Sequence, residues 1–204
     1  MPLYNLKYFI LTSILLLVFQ QGSGQVTCDE CGDNPPYSMC CTSIPIPLES
    51  TGDSATILYQ WRICNGIWEM KISKIIIPEE AEYYIKNYED VQALIISYLT
   101  LNNPMQFPPD SISQGEFKWR IIQPACWTIS FSYLEHFNEV WEPCDSTKCC
   151  IKTFVAKISE ECNTLVVHLS EEQNNGNCIP EEPGDNPLNC YPICYPFNIN
   201  ENSK

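Results

Sequence analysis

The residues with the most chemical capacity at close spacing are Cys28-Asp29-Glu30-Cys31. Two thiolates separated by two residues form half of a tetrahedral zinc site, and the same spacing serves redox dithiols. No second Cys-x-x-Cys or His-x-x-x-His completes a metal set. Gly32 stands where haem attachment requires histidine, and no strand-helix-strand pattern surrounds the pair. Hydrolysis through a nucleophile needs a base, and the only imidazoles are His136 and His168. His168 alternates with Val166 and Ser170, opposite Val167 and Leu169, which puts it on the outward face of a strand; His136 follows Glu135 in an aromatic loop. Neither a G-x-S-x-G elbow nor a Gly-rich phosphate loop is present. The acidic turns Asp29 to Asp33 and Glu181 to Asp185 lack the oxygen-ligand spacing of a calcium loop. No catalytic residue, cofactor or metal site is therefore expected.

The thirteen cysteines carry a different chemistry. They fall as Cys28, Cys31, Cys40 and Cys41; then Cys64 and Cys126 singly; then Cys144, Cys149, Cys150 and Cys162; then Cys178, Cys190 and Cys194. Behind an export signal, such a set reads as a disulfide framework, each bridge contributing about 2–4 kcal/mol by restricting the unfolded chain. Adjacent cysteines close a strained ring, so Cys40 and Cys41, and likewise Cys149 and Cys150, are expected to reach different partners. Neighbours in a strand face opposite ways, so Cys149 and Cys150 can staple both faces of a sheet. Thirteen is odd, which leaves at least one cysteine per monomer without an intramolecular partner: a buried thiol, an intermolecular bridge or a reactive nucleophile. Cys64 and Cys126 stand apart from the clusters and are the candidates.

Five tryptophans could form a platform on which sugars stack. Trp61, Trp119 and Trp127 are in phase with the other large apolar residues of their segments, which assigns them to the core. Trp68 and Trp141 are less determined. The aromatic tail Tyr191 to Phe197 is expected to pack on the body.

These residues sit in a chain whose compartment is legible. Residues 1–24 hold one charge, Lys7, an apolar run from Tyr8 to Phe19 and small residues before Gln25, the pattern of a secretory signal peptide. Cys28 lies too far beyond the apolar run to be a lipidated cysteine, and the polar C-terminus carries no lipid-anchor signal. All 25 acidic residues and all but one of the 11 basic residues follow the leader. So strong an acidic excess excludes nucleic acid and anionic membrane surfaces as partners, because both require displacement of counterions by Lys and Arg.

The elements able to position side chains lie between two Cys- and Pro-rich arms. Residues 25–53 form a Cys- and Pro-rich arm, expected to be irregular. Ile57, Tyr59, Trp61 and Ile63 alternate along a strand, Asn65-Gly66 suits a type I′ turn, and the return run to Ile77 alternates through Trp68, Met70 and Ile72. Pro78 ends that run, and a helix is expected near 79–101, with Asn87 an internal N-cap and Val91, Leu94, Ile95, Tyr98 and Leu99 as its apolar stripe. Asn102-Asn103-Pro104 stops it. Strands follow around Phe117 to Ile121 and Trp127 to Tyr133, and a hairpin from Cys150 to Ser170. Residues 171–204 make an acidic, Cys- and Pro-rich C-terminal arm. Short echoes such as Trp61-Arg62-Ile63 and Trp119-Arg120-Ile121 have no common period and are not a repeat.

The fold expected is α+β, mainly antiparallel sheet with one principal helix, disulfide-rich, as a single domain over 54–170; a two-sheet β-sandwich is the alternative. The function expected is that of a secreted structural or interaction protein, a subunit of an extracellular assembly, without catalysis. A carbohydrate- or protein-binding module and a small secreted hydrolase are the alternatives. Its expected partners are further copies of itself or another exported protein, with no nucleic acid and no membrane anchor once the leader is cleaved.

Overall fold

The hairpin at Asn65-Gly66 is the centre of the fold. Both turn residues have positive φ, 50° and 81°, which Asn and Gly tolerate and a two-residue hairpin turn demands. In this computed structural model, which describes residues 28–48, 53–78, 88–107, 115–132, 138–159, 164–174, 178 and 190–194, the turn joins β2 (Ser54–Cys64) to β3 (Ile67–Pro78). Around them lie β1 (Thr42–Pro47), the helix α1 (Tyr88–Asn102), β4 (Glu116–Pro124), β5 (Cys126–Ser132), β6 (Asn138–Pro143), β7 (Cys149–Ile158), β8 (Leu165–Asn174) and β9 (Cys190–Pro192).

All nine described strands belong to one hydrogen-bonded sheet rather than to the two sheets of a sandwich. One edge of β3 pairs with β2, and β2 with β1. The other edge is divided: β4 runs parallel to Trp68 to Lys71, while β6 runs antiparallel to Ile75 to Pro78. From β4 the sheet continues to β7 and β8; from β6 it continues to β5 and β9. Every pairing but β3 with β4 is antiparallel, and that parallel pair is joined through α1, because a parallel return needs a crossover rather than a tight turn. Between its two neighbours β3 carries a bulge at Ser73, whose hydroxyl donates to Leu58 O at 2.9 Å. One extra residue reverses the alternation, so Met70 and Ile72 before it and Ile75 and Ile77 after it all enter the same core.

The helix, described from Tyr88 to Asn102, covers that core, while residues 79–87 of the expected helix, the Asn87 cap among them, lie outside the described residues. Its buried residues are Val91, Gln92, Ile95, Ile96, Leu99 and Thr100; Leu94 and Tyr98 of the expected stripe are half-buried, so the helix is rotated toward Gln92 and Ile96. The Gln92 amide donates to Ile193 O at 2.8 Å, which turns a polar residue toward the sheet and ties helix to C-terminal arm. Trp119, Trp127, Trp141 and Phe154 fill the interior, with Tyr88 edge-on to Trp141 at 5.2 Å.

Three segments outside the expected strands are strands. In the N-terminal arm Ile44 and Ile46 alternate with Pro45 and Pro47, a pattern that an edge strand accepts because proline's missing N–H faces away from the pairing. The second is β6, which follows His136 in the chain and buries Glu139 and Trp141. The third is β9, in the C-terminal arm.

Of six disulfides among the described residues, five fasten the two arms. Cys28–Cys149 and Cys31–Cys64 hold the N-terminal arm, while Cys126–Cys178, Cys144–Cys190 and Cys150–Cys194 hold the C-terminal arm. Cys149 packs with Ile122 and Ile151, and Cys150 with Ala125 and Cys126, so the adjacent pair serves two separate clusters as alternation dictates. Cys40 and Cys41 correct the expectation drawn from ring closure: the two are bonded to each other, the intervening peptide being cis with the Cα atoms 3.0 Å apart. Cys64 and Cys126, the expected odd cysteines, are both paired; Cys162 is the one left over, and it lies outside the described residues. Six bridges in a chain this size point to an oxidising compartment. No helix among the described residues is long and apolar enough to cross a membrane.

Candidate functional site: an aromatic groove

Strands of 11 and 12 residues reach about 36–40 Å, whereas a helix of 15 residues reaches only about 22 Å. The core face of β2 and β3 therefore outruns its helical cover toward the Asn65-Gly66 turn. Buried Ala55, Ile57 and Tyr59 give way along that face to Trp61, 39% exposed, and Ile63, 41% exposed. Trp61 is thus not the core residue that its phase predicts. It stacks on Trp68 with ring centroids 5.6 Å apart and 18° between planes, a diagonal pair across the two strands.

The segment that ends the helix completes the site. Asn103, φ 46°, stops α1; its Oδ1 accepts the Phe107 N–H at 2.5 Å and its carbonyl accepts the Gln106 N–H at 3.0 Å. This tight turn drops Phe107 onto Trp68 at 4.8 Å and raises Gln106 to the rim. Tyr59, Trp61, Trp68, Met105, Gln106 and Phe107 enclose a groove of about 400 Å³, within the span of small-ligand sites, about 300–1,000 Å³. Burial holds the Tyr59 phenol above its ordinary pKa, against a hydrogen bond with Thr42, so it is protonated. The described lining is therefore uncharged.

Behind the groove, on the opposite face of the sheet, the N-terminal arm is clasped by charge. Arg62 lies between the two exposed positions Trp61 and Ile63 yet is itself buried. Its Nε donates to Glu69 at 2.7 Å, its other nitrogens to Asp29 at 2.5 Å and to Gly32 O at 2.6 Å, and it lies 4.1 Å above the Tyr37 ring. Burial opposes its charge, but the bonds to Asp29 and Glu69 outweigh that and raise its pKa. Arg120 joins Glu69 at 3.3 Å and Glu30 at 2.5 Å. The acidic turn after Cys28 has two of its carboxylates, Asp29 and Glu30, committed to these guanidinium groups. Ser38 extends the clasp to the groove: its N–H donates to Trp61 O at 2.8 Å and its hydroxyl accepts the Trp61 N–H at 3.0 Å. The backbone that carries the exposed indole is thus held by the arm along the edge of β2 away from β3.

The other sequence candidates lie elsewhere. Cys28 and Cys31 bond to different partners, Cys149 and Cys64, so they form neither a metal half-site nor a redox pair. His168 is half-buried opposite Val155, on the face away from Val167, Leu169 and the core. His136 and residues 181–185 lie outside the described residues. Lys152 escaped notice in the sequence; it is buried beside Ile121 and paired with Glu172, and burial lowers its pKa against that carboxylate's pull. The groove too was missed, because strand phase places Trp61 in the core and only the length mismatch between helix and strands uncovers it. No family model, curated protein or solved structure matches this chain.

Proposed function

We propose that this is an exported interaction protein that holds its ligand in the Trp61–Trp68 groove and uses its disulfides to keep that groove rigid. The observation that carries it is Trp61 itself, a large apolar side chain left 39% exposed on a sheet face where Trp119, Trp127 and Trp141 are fully buried and Trp68 is half-buried. Aromatic side chains presented on a fixed frame bind with little loss of conformational entropy, which is what recognition requires. The lining offers stacking surface and one amide, a set suited to binding rather than to bond cleavage. The test is a titration of the mature protein, followed by tryptophan fluorescence, with neutral hexasaccharides, a sulfated hexasaccharide and a proline-rich decapeptide. A saturable response to any class, lost in Trp61→Ala, supports the reading. Silence toward all of them overturns it.

A second reading, a subunit of an extracellular assembly, is favoured by β8. This strand ends the sheet, with Leu165 and Val166 exposed on its two faces, and an edge of that kind pairs readily with another chain. Sedimentation of the mature protein decides it: concentration-dependent dimers or larger species that a Val166→Lys substitution disperses support assembly, and a monomer at all concentrations removes it.

A further inference from the structure

The chemistry of the groove narrows its ligand. We infer that it is built for a neutral saccharide, one pyranose ring lying on the open face of Trp61 with a hydroxyl bonded to the Gln106 amide; this rests on the groove being the binding site.

Charge is the first discriminator. The chain carries 25 acidic and 11 basic residues, yet among the described residues none of the six that line the groove is charged. Among these residues an anionic ligand finds no cation, and a cationic one no carboxylate. Ring geometry is the second. A quaternary ammonium ion needs aromatic faces that stand apart and converge on it, but here Trp61 touches Trp68 at 5.6 Å and Trp68 touches Phe107 at 4.8 Å. The rings run together as one platform along the groove rather than standing apart as walls around an ion, so the surface they offer is the face of Trp61 that the groove leaves open.

A platform of this kind takes a flat ligand with apolar faces. A pyranose ring presents C–H bonds on its faces and hydroxyls at its edge, so it needs an indole beneath and a donor–acceptor group beside. Gln106 supplies the second: its amide both donates and accepts, and its backbone is fixed at the rim by the bond to Asn103. Ile63, next on the same face of β2 and 41% exposed, continues the platform past one ring, which favours an oligosaccharide over a single sugar. The groove is also rigid, since Ser38 grips the Trp61 backbone and Cys31–Cys64 ties the same end of β2 to the arm.

The experiment uses the mature chain with all bridges intact. Neutral hexasaccharides of β-1,4-linked glucose, β-1,4-linked N-acetylglucosamine and α-1,6-linked mannose are titrated by calorimetry beside a sulfated hexasaccharide and a proline-rich decapeptide. At least one neutral hexasaccharide is expected to bind with a dissociation constant below about 1 mM. Trp61→Ala is expected to weaken it about tenfold or more, and Trp61→Phe, which keeps a ring, by less. Gln106→Ala, on the surface and harmless to the fold, is expected to weaken it without altering the fluorescence of the free protein. Near-ultraviolet dichroism and the mass of the six-bridge species show whether each variant is folded. Binding of no neutral hexasaccharide at about 1 mM, or binding that both Trp61→Ala and Gln106→Ala leave unchanged, overturns the inference. Binding of the peptide alone, dependent on Trp61, overturns the saccharide but keeps the groove as an interaction site; binding of nothing takes down both.

Discussion

Arg62 and Glu69 face each other across β2 and β3 at 2.7 Å, each side chain only 1% exposed. The pair lies directly behind the groove, on the face where Asp29, Glu30 and Tyr37 of the arm converge, so the support of the indole platform and the docking of the arm depend on the same two charges. A buried ion pair costs desolvation on both sides, and its net worth differs from the cost of breaking it.

That difference gives the first prediction. Glu69→Leu removes the carboxylate and leaves Arg62 buried with a diminished set of partners, so it is expected to cost about 3–5 kcal/mol in denaturant unfolding. Arg62→Met combined with Glu69→Leu replaces the pair by apolar volume, and the double variant should recover at least half of the loss. A double variant as unstable as the sum of the two single ones would show that the pair is not a unit.

The two kinds of tryptophan should separate in the same assay. Trp119 is fully buried and stacked on Phe154 at 5.5 Å, so Trp119→Ala should cost about 3–5 kcal/mol. Trp61→Ala removes a half-open ring whose loss leaves no closed cavity, and about 1–2 kcal/mol is expected. Equal losses at the two positions would return Trp61 to the core and undercut the groove as a surface kept for recognition.

Much of this arrangement was legible in the sequence, for reasons that also explain the gaps. The Asn65-Gly66 turn, the alternation of β2 and of β3 up to Ile72, and the helix through Val91, Ile95 and Leu99 follow from local rules of φ and period, and the structure has each of them. Beyond Ser73 the period in β3 changes phase, because a bulge is decided by the neighbouring strand rather than by the strand that bears it. Trp61 was assigned to the core since phase says which face a residue takes but not how far its cover extends. Arg62 and Glu69 read as ordinary strand polar residues; only the arm folding back over them makes their burial affordable, and that contact spans 33 residues from Asp29 to Arg62. Cys40 and Cys41 defeated a rule drawn from ring closure.

The cysteine count supplies a prediction that needs no ligand. With twelve cysteines paired, Cys162 is the thirteenth. Alkylation of the unreduced, denatured protein should add one label per chain, located at Cys162, and Cys162→Ser should take up none while keeping the mass of six bridges. A label at any other cysteine would mean that the pairing differs from the one described here. Non-reduced dimers abolished by Cys162→Ser would instead show the odd thiol joining two chains.

Alkaline pH tests the clasp from the side of the arm. Tyr37 lies under Arg62, and burial, followed by the nearby charge of Glu69, raises its pKa above the ordinary 10.0. A phenol with a folded pKa above its unfolded one holds its proton more tightly in the native state. Its contribution is complete below about pH 10 and declines above that, as the unfolded chain releases the proton first. Tyr59 acts with the same sign. Lys152 acts with the opposite sign, since its lowered pKa makes the native state easier to form as pH rises toward 10.5, so the contrast between variants is more informative than the wild-type curve. Tyr37→Phe keeps the ring beneath Arg62 and deletes the proton. With Cys162 alkylated to prevent disulfide exchange, the denaturation midpoint of the wild type is expected to fall more steeply between about pH 9.5 and 11 than that of Tyr37→Phe. Parallel curves would mean that Tyr37 titrates in the folded protein as it does in the unfolded one, and that the arm does not seal it against the sheet.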